Sequence, residues 1–350
     1  MKKLYLILIL TGLVLVVSQS AFTDSELNTP AELGRKLFFD PILSKTQKIS
    51  CASCHKEEFA FADTSAVSLG VRNQKGVRNT PSAMNMKLQV AFFWDGRANS
   101  LEQQALIPIE NPIEMDLPVR TAIWRPNNNK TYRKLFQAIF QEAPNQRNLA
   151  KALAEFERTL ETSDAPLDDW LLNHNESAVS ASAKRGYALF NGTKANCVKC
   201  HFGADFNNTE FRSIGLYDGI ALRDSGRAAI TKRPNDLGQF KIGALRNVAI
   251  TPPYMHNGMF KTLREVIGYY NDPDKVVPHD IGRDTLIARP MNLTEQEKTD
   301  LVSFIEALTD KRFAGKLKQL KKQKNPAKNK DMKRRNFLSW EILSIPAISF

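Results

Sequence analysis

The chain has 350 residues, 42% of them hydrophobic, and a formal net charge of +12, so it is long enough for two domains with packed cores. The charge would suit a nucleic-acid partner, but it is concentrated between Lys311 and Arg335, where twelve Lys or Arg residues and the single acid Asp331 give +11. The rest of the chain is nearly neutral, which excludes binding of nucleic acid by the body of the protein.

The N-terminus has the features of an export signal. Two lysines follow Met1, then an apolar run extends from Leu4 to Val17, and small or polar residues follow up to Thr23. This pattern predicts a signal peptide over residues 1–22, since the run is too short for a comfortable membrane span. The alternative is an uncleaved anchor. Without a cysteine in this region a lipoprotein anchor is excluded, and the predicted location is the periplasm.

Two motifs of the form C-x-x-C-H account for all the cysteines of the chain, CASCH at 51–55 and CVKCH at 197–201. This is the attachment pattern of c-type haem, in which two thiols add to the porphyrin vinyl groups and the histidine ligates the iron. Zinc or thiol redox sites use C-x-x-C as well, but two complete copies disfavour them. The sequence predicts two covalently bound haems, with the thioethers and proximal ligands provided by Cys51, Cys54, His55, Cys197, Cys200 and His201.

The motifs lie in a weak internal repeat. Residues Leu33–Phe39 and Arg185–Asn191 both contain G-x-x-L-F ahead of a haem motif. Further along, GVRNTP from Gly76 resembles ALRNVAITP from Ala244, and the segment from Trp94 resembles the one from His256. These matches predict a mainly α protein of two cytochrome-c-like haem domains with long loops, related by internal duplication.

Other signals divide the chain. Apolar residues at helical spacing predict a helix over Asn148–Leu160, and Pro166 with the polar run after His174 suggests a boundary near residue 175. Thr294, with Glu297 three residues later, predicts a capped helix up to Leu308. We therefore expect an N-terminal haem domain over residues 23–175 and a C-terminal one over 176–310.

Residues 311–350 form a basic tail with a short apolar end. A segment with this charge is expected to be a solvated extension, and the alternative is binding to an anionic lipid surface or an acidic partner. The last fifteen residues contain Phe337, Trp340 and Ile342, but also Glu341 and Pro346. They are not predicted to span a bilayer, and docking on a membrane surface or on the body of the protein stays open.

The sixth ligand of each iron determines whether it can react. Aligning the repeats on Gly96 and Gly258 places Pro108 opposite Tyr270. Proline has no donor atom, so the first haem is expected to be open on its distal side, whereas the Tyr270 oxygen could cap the second. Tyr270 could instead pack a helix face. Its rivals as ligand are Met255, Met259 and Met291, and spacing excludes none of them.

An open haem that reacts with peroxide needs groups that move a proton. The run LEQQALIPIENPIEMD contains Gln104, Glu110 and Glu114. A carboxylate on a mostly apolar segment can act as general acid and base, because burial raises its pKa towards neutrality. Glu114, flanked by prolines in a haem-lining repeat, is the preferred candidate, although a solvated surface carboxylate would give the same pattern.

These motifs together resemble a known family. LGRKLFFDPILS, SCASCH, RNTPSAMN, FWDGR, the Q-A-x-x-P-I-x-x-P-x-E-M run and LRN…TPPYMHNGMF are similar to the bacterial dihaem cytochrome c peroxidase and MauG family, over about Ala31 to Leu308. The resemblance implies a peroxidatic N-terminal haem and an electron-transfer C-terminal haem. It also implies a tryptophan between them at Trp94, distal groups at Gln104 and Glu114, and a calcium ion held by the Asn79 side chain with the carbonyls of Thr251 and Pro253.

The chain departs from the family pattern at one informative position. Family peroxidases carry a histidine in an S-x-G-H loop that blocks the peroxidatic iron until the other haem is reduced, and here Val71 takes that place. Tyr270 is similar to the tyrosine ligand of MauG, where the peroxidases have methionine. We therefore expect reaction with peroxide without reductive activation.

The resulting functional hypothesis is a periplasmic peroxidase that reduces hydrogen peroxide to water with electrons from a small cytochrome c or a cupredoxin. MauG-like oxidation of a partner protein and a dihaem electron carrier or sensor are the alternatives, and a homodimer is left open. Arg78 and Arg246 could bind haem propionates or form simple ion pairs.

Overall fold

The computed structural model describes residues 27–324, so the predicted signal peptide and the tail beyond residue 324 lie outside the described part. The mainly α class is confirmed. The α-helices are α1 Pro30–Phe39, α2 Cys51–Cys54, α3 Leu101–Glu110, α4 Val119–Asn128, α5 Lys130–Phe140, α6 Gln146–Arg158, α7 Pro166–Leu172, α8 Ala181–Asn191, α9 Ala228–Thr231, α10 Leu263–Asn271, α11 Glu295–Glu306 and α12 Ala314–Lys324.

Within the described part of the chain, the strands are one short antiparallel pair, β1 Phe211–Ser213 and β2 Gln239–Lys241. Phe211 is opposite Lys241 and Ser213 is opposite Gln239. Long loops with short 3₁₀ turns connect the helices. Among the described residues, no helix is long and apolar enough to cross a membrane.

Helix starts follow local capping signals. Thr29 caps α1, since its Oγ1 accepts from the Glu32 N–H at 3.2 Å and Glu32 Oε2 accepts from the Thr29 N–H at 2.9 Å. The predicted cap of α11 is confirmed, because Thr294 Oγ1 accepts from the N–H of Glu297 at 3.2 Å. These reciprocal bonds satisfy N–H groups that a helix N-terminus otherwise leaves unpaired.

Among the described residues, two large hydrophobic cores form, each mainly from one half of the chain. In the first, α1 packs on α6, with Phe38 and Phe156 in edge contact at 5.1 Å between ring centroids. In the second, α8 packs on α11, with Phe190 and Phe304 at 4.8 Å. The pair α1 and α6 in the first half thus corresponds to the pair α8 and α11 in the second. The origin of the two halves by duplication stays a prediction.

Close helix approach depends on a small residue in each pair. A methyl group at Gly34 of α1 would overlap the carbonyl oxygen of Ala152 in α6, and one at Gly186 of α8 would overlap that of Asp300 in α11. The G of the G-x-x-L-F repeat therefore has a packing role, because no side chain fits between the two backbones.

The segment before the predicted boundary near residue 175 is shared between the two cores, and the boundary itself stays a prediction. Leu160 belongs to the first core, whereas Leu167 of α7 is buried in the second. Residues 311–324 also differ from a solvated extension, because Phe313 is buried and Leu317 and Leu320 pack on the first core. Their helical spacing gives this basic segment an apolar face.

Gly34→Ala should lower the free energy of unfolding by about 1–3 kcal/mol, because the added methyl forces α1 away from α6. The matched control is Gly268→Ala in α10, where a Cβ meets no atom within 4 Å and the change should be neutral or stabilise by up to about 1 kcal/mol. Denaturant unfolding of both variants measures the difference. Equal effects would contradict the close packing at Gly34.

Candidate functional site

Both C-x-x-C-H motifs open into one cavity between the two cores. Its wall includes His55 and His201 together with Trp94 and Tyr270. In each motif the backbone N–H of the histidine donates to the backbone carbonyl of the first cysteine, Cys51 or Cys197, at 2.9 Å. The motif therefore forms a single tight turn that presents two thiols and an imidazole to the same space.

Each motif histidine is oriented by a backbone carbonyl. His55 Nδ1 lies 2.8 Å from the Phe61 carbonyl oxygen, and His201 Nδ1 lies 3.1 Å from that of Phe206. Burial lowers the pKa of both imidazoles. A neutral ring that donates from Nδ1 keeps the lone pair of Nε2 for a metal, which is the usual arrangement of a proximal ligand.

The cysteines fit haem attachment better than zinc binding. All four line the cavity together with His55 and His201. A structural zinc site needs a closed set of four ligands, and within residues 27–324 no cluster of three or more His, Cys, Asp or Glu could hold a metal ion. The thiols, histidines and largely apolar cavity fit two haems.

Two polar side chains face the cavity on the side of the first motif. Gln104, on α3, has a buried Oε1 without a hydrogen-bond donor in the described structure. Glu114 follows the same helix, and burial raises its pKa, while the Asn111 amide, which donates to Oε1 at 2.6 Å, opposes that shift. An unpaired acceptor and a carboxyl with a raised pKa in one cavity wall suit a small hydrogen-bonding ligand.

Glu110 is separated from this pair. It is exposed at the end of α3, and its carboxylate accepts from the N–H of Val119 at 3.1 Å. Of the two glutamates considered from the sequence, only Glu114 lies in the cavity wall.

The loop that carries Val71 packs against the backbone of Glu114. Val71 is fully buried, and its N–H donates to the Glu114 carbonyl at 2.7 Å. The loop is further closed by the N–H of Gly76, which donates to the Ser68 carbonyl at 2.8 Å. An aliphatic side chain at this position offers the cavity no ligand atom.

The candidate sixth ligands separate in space. Pro108 on α3 and Tyr270 on α10 occupy the same position in their helices, and both line the cavity. Burial raises the Tyr270 pKa, and Cys197 and Cys200 also contribute to that shift. Met255 and Met291 line the cavity as well, whereas Met259 packs on the second core outside its wall.

Trp94 lies where the halves meet. Its Nε1 donates to the Asn79 carbonyl at 2.8 Å, and its ring meets His256 edge-on at 6.5 Å between centroids. His256 stacks on Phe240 at 3.7 Å. The indole is thus held by contacts from both halves of the chain.

The residues expected to hold calcium share this region. Asn79, Thr251 and Pro253 all line the cavity. The Asn79 amide nitrogen donates to the carbonyls of Ser65 and Ala66 at 3.1 and 3.3 Å, so its Oδ1 is the side-chain atom suited to a cation.

The two arginines considered for propionates already have carboxylate partners. Arg78 joins the two halves through an ion pair with Asp224 at 2.6 Å. It also pairs with Asp95, in its own half, at 2.5 Å. Arg246 makes a two-point contact with Asp168 at 2.8 and 2.9 Å. The simple ion-pair interpretation of both residues therefore describes the observed contacts.

Sequence reasoning missed Glu157, a carboxyl in the cavity wall. Glu157 of α6 is buried and lines the cavity with Leu153. Burial raises its pKa from 4.5 to about 8. The sequence does indicate its burial, because Glu157 follows Leu153 by four residues and so lies on the apolar face of the helix.

Comparison with known proteins identifies the family. The family model for di-haem cytochrome c peroxidase matches residues 28–176. The methylamine utilization protein MauG of Methylophilus methylotrophus is 36% identical over 282 residues, covering 79% of this chain and 82% of the relative. The chain belongs to the di-haem cytochrome c peroxidase family.

Other relatives support the same assignment. Cytochrome c551 peroxidase of Nitrosomonas europaea is 34% identical over 282 residues, covering 80% of this chain and 79% of that protein. A solved MauG-like protein associated with microbial copper homeostasis has a TM-score of 0.75 and 31% identity, covering 82% of this chain and 92% of its own. As a family member, the protein is an oxidoreductase of the peroxidase class with two haems.

The raised pKa of Glu157 predicts a pH-dependent stability. The folded protein keeps the proton that the unfolded chain releases, so the free energy of unfolding should fall as the pH rises from about 4.5 to about 8. Glu157→Gln, which stays neutral, should remove the part of this fall that Glu157 contributes and leave the variant more stable than the parent above pH 8. Denaturant unfolding at a series of pH values measures the effect, and the same slope in both proteins would contradict it.

Proposed function

We propose that the protein is a periplasmic peroxidase that reduces hydrogen peroxide to water with electrons from a small cytochrome c or a cupredoxin. The observation that carries this proposal is the juxtaposition of Glu114 and the unpaired Gln104 Oε1 in the wall of a cavity that also holds His55. The named relatives include cytochrome c peroxidases. The predicted signal peptide supports export, and a homodimer remains part of the hypothesis.

The residues that would hold the two haems are the motif cysteines through thioether bonds and His55 and His201 as proximal ligands. Haem iron, when bound, coordinates peroxide and exchanges electrons with it. The chain provides the proton chemistry. Reduction of one peroxide to two waters needs two electrons and two protons. A carboxyl that takes a proton from one peroxide oxygen and returns it to the other assists this reaction.

Glu114 suits that task. Burial raises its pKa and so favours the protonated form, while the Asn111 hydrogen bond favours the ionised form, and a carboxyl under both influences can give up a proton and take it back. Gln104 Oε1 is fixed on α3 and can accept a hydrogen bond from a peroxide O–H, which orients the substrate towards the carboxyl.

The first haem is proposed to be ready for peroxide without prior reduction. Val71 provides no ligand atom, and its loop is held by the hydrogen bond to the Glu114 carbonyl. Pro108 also has no donor to offer. With no blocking side chain from either segment, no loop movement is needed before peroxide enters.

Trp94 is proposed to carry electrons between the two haem sites, since its indole lies at the junction of the halves with its N–H fixed on Asn79. A calcium ion bound by Asn79 Oδ1 and the carbonyls of Thr251 and Pro253 would stabilise the same junction.

A second candidate function is MauG-like oxidation of a partner protein. The MauG relatives and the presence of Tyr270 beside the second motif favour it. Iron coordination would replace the phenolic proton that burial otherwise retains on Tyr270. An anionic oxygen ligand favours the ferric state and would lower the potential of the second haem.

Glu114→Gln should lower the second-order rate constant of the reaction with hydrogen peroxide by about 10²–10⁴, because the amide cannot transfer the proton. Glu110→Gln, a matched change at an exposed carboxylate of the same segment, should react at the parental rate. Both variants should keep two haems. Parental kinetics in Glu114→Gln would refute the assigned role.

Replacing Tyr270 or Met291 distinguishes the sixth ligands of the second haem. Tyr270→Phe should change the low-temperature electron paramagnetic resonance signal of that haem, since the oxygen ligand is lost, whereas Met291→Leu should leave it unchanged. The reverse pattern would identify Met291 as the ligand and remove the main structural argument for MauG-like chemistry.

A further inference from the structure

Five cationic side chains line the haem cavity, and four of them are neutralised by the chain itself. The pairs, each with an N to O distance of 3.0 Å or less, are Arg78 with Asp95 and Asp224, Arg97 with Asp95, Arg212 with Glu210 and Asp284, and Arg246 with Asp168. Lys241 is the exception. Within residues 27–324 no carboxylate lies within ion-pair distance of its ammonium.

The contacts of Lys241 are all with neutral groups. Nζ donates to the Ala91 carbonyl at 3.1 Å and to Gln89 Oε1 at 3.5 Å, and it lies 6.0 Å from the centroid of the Phe92 ring. Burial lowers its pKa to about 8, and Asp205 is the one acid that acts against this shift. A desolvated ammonium with only neutral partners is costly unless an anion joins it.

Asp205 does not provide that anion. One of its oxygens accepts from the Asn85 amide at 2.6 Å, and the other is buried without a donor. Burial raises the pKa of its carboxyl to about 6. The carboxyl is therefore held by a different residue, and the ammonium of Lys241 is left for a negative group that enters the cavity.

We infer that Lys241 is the counter-ion of a haem propionate at the junction of the two halves. A porphyrin bound through the motif cysteines carries two carboxylates, and these are anions that the resident cofactor brings into this cavity. Lys241 belongs to β2 in the second half, whereas Gln89 and Ala91 belong to the first. The ion pair would thus connect the cofactor to both halves. The inference rests on haem binding and not on the peroxidase reaction.

The charge has a measurable consequence. A cation near a haem stabilises the reduced form relative to the oxidised form, because reduction lowers the positive charge of the iron centre. Removing it should shift one midpoint potential downwards. Lys241→Met keeps an unbranched chain of similar length without the charge, and Lys241→Arg keeps the charge.

The test is a spectroelectrochemical titration of the haem-loaded protein. In Lys241→Met one haem should show at least about a tenfold higher ratio of oxidised to reduced form at a fixed potential, equivalent to about 59 mV for a one-electron couple. Lys241→Arg should stay near the parent. The matched control Lys261→Met removes an exposed lysine outside the cavity wall and should shift neither potential.

Two further readouts separate a counter-ion from a packing role. The propionate bending modes in resonance Raman spectra should change in Lys241→Met and be retained in Lys241→Arg. A haemochrome assay counts the haems, so lost attachment is distinguished from a shifted potential. The inference is overturned if Lys241→Met leaves both potentials unchanged, or if Lys241→Arg shifts a potential or loses a haem to the same extent as Lys241→Met.

Discussion

The hydrogen bond between each motif histidine and a backbone carbonyl is the interaction on which the site depends. The imidazoles of His55 and His201 are buried, and a buried ring with free rotation could present either nitrogen or take up a proton. The carbonyls of Phe61 and Phe206 fix which nitrogen faces the cavity, and burial opposes protonation of the ring. Phe61 and Phe206 also pack in the two cores, Phe61 against Phe38 and Phe206 against Phe190, so the orientation of each imidazole is set by the packing of the helices.

On that common frame, the two halves differ at a few positions that determine reactivity. A constant offset of 162 residues relates Gly96 to Gly258, and it pairs the cavity-lining Gln104 with Val266 and Pro108 with Tyr270. One side therefore has an unpaired polar acceptor and no ligand, and the other has an apolar residue and a phenol. The same helix in the same place provides a wall for substrate in one half and a candidate ligand in the other.

The features readable from the sequence are those that depend on local spacing. The haem motifs, the helices around Leu33–Phe39 and Asn148–Leu160, and the Thr294 cap each require only residues within a few positions of one another. Glu114 was identified because prolines and apolar residues surround it within one short run. The assignment of α7 to the second core and the docking of α12 could not be read in this way, since both depend on contacts with distant segments.

Charge partners show the same limit. Arg78 and Arg246 were considered for propionates because arginine suits carboxylates, but their partners Asp224 and Asp168 are remote in sequence. No sequence motif marks Lys241, which is a single lysine in the segment GQFKIG. Its role is inferred from the lack of a carboxylate near its ammonium among the described residues. That feature depends on the folded structure and not on sequence spacing.

The most direct test of this account is to mix the fully ferric protein with one equivalent of hydrogen peroxide in a stopped-flow spectrometer. The account predicts a high-spin component in the starting spectrum and a fast change of the Soret band without any added reductant, because neither Val71 nor Pro108 closes the first haem. A spectrum that stays constant until one electron has been added would contradict it and would show that another ligand blocks the iron.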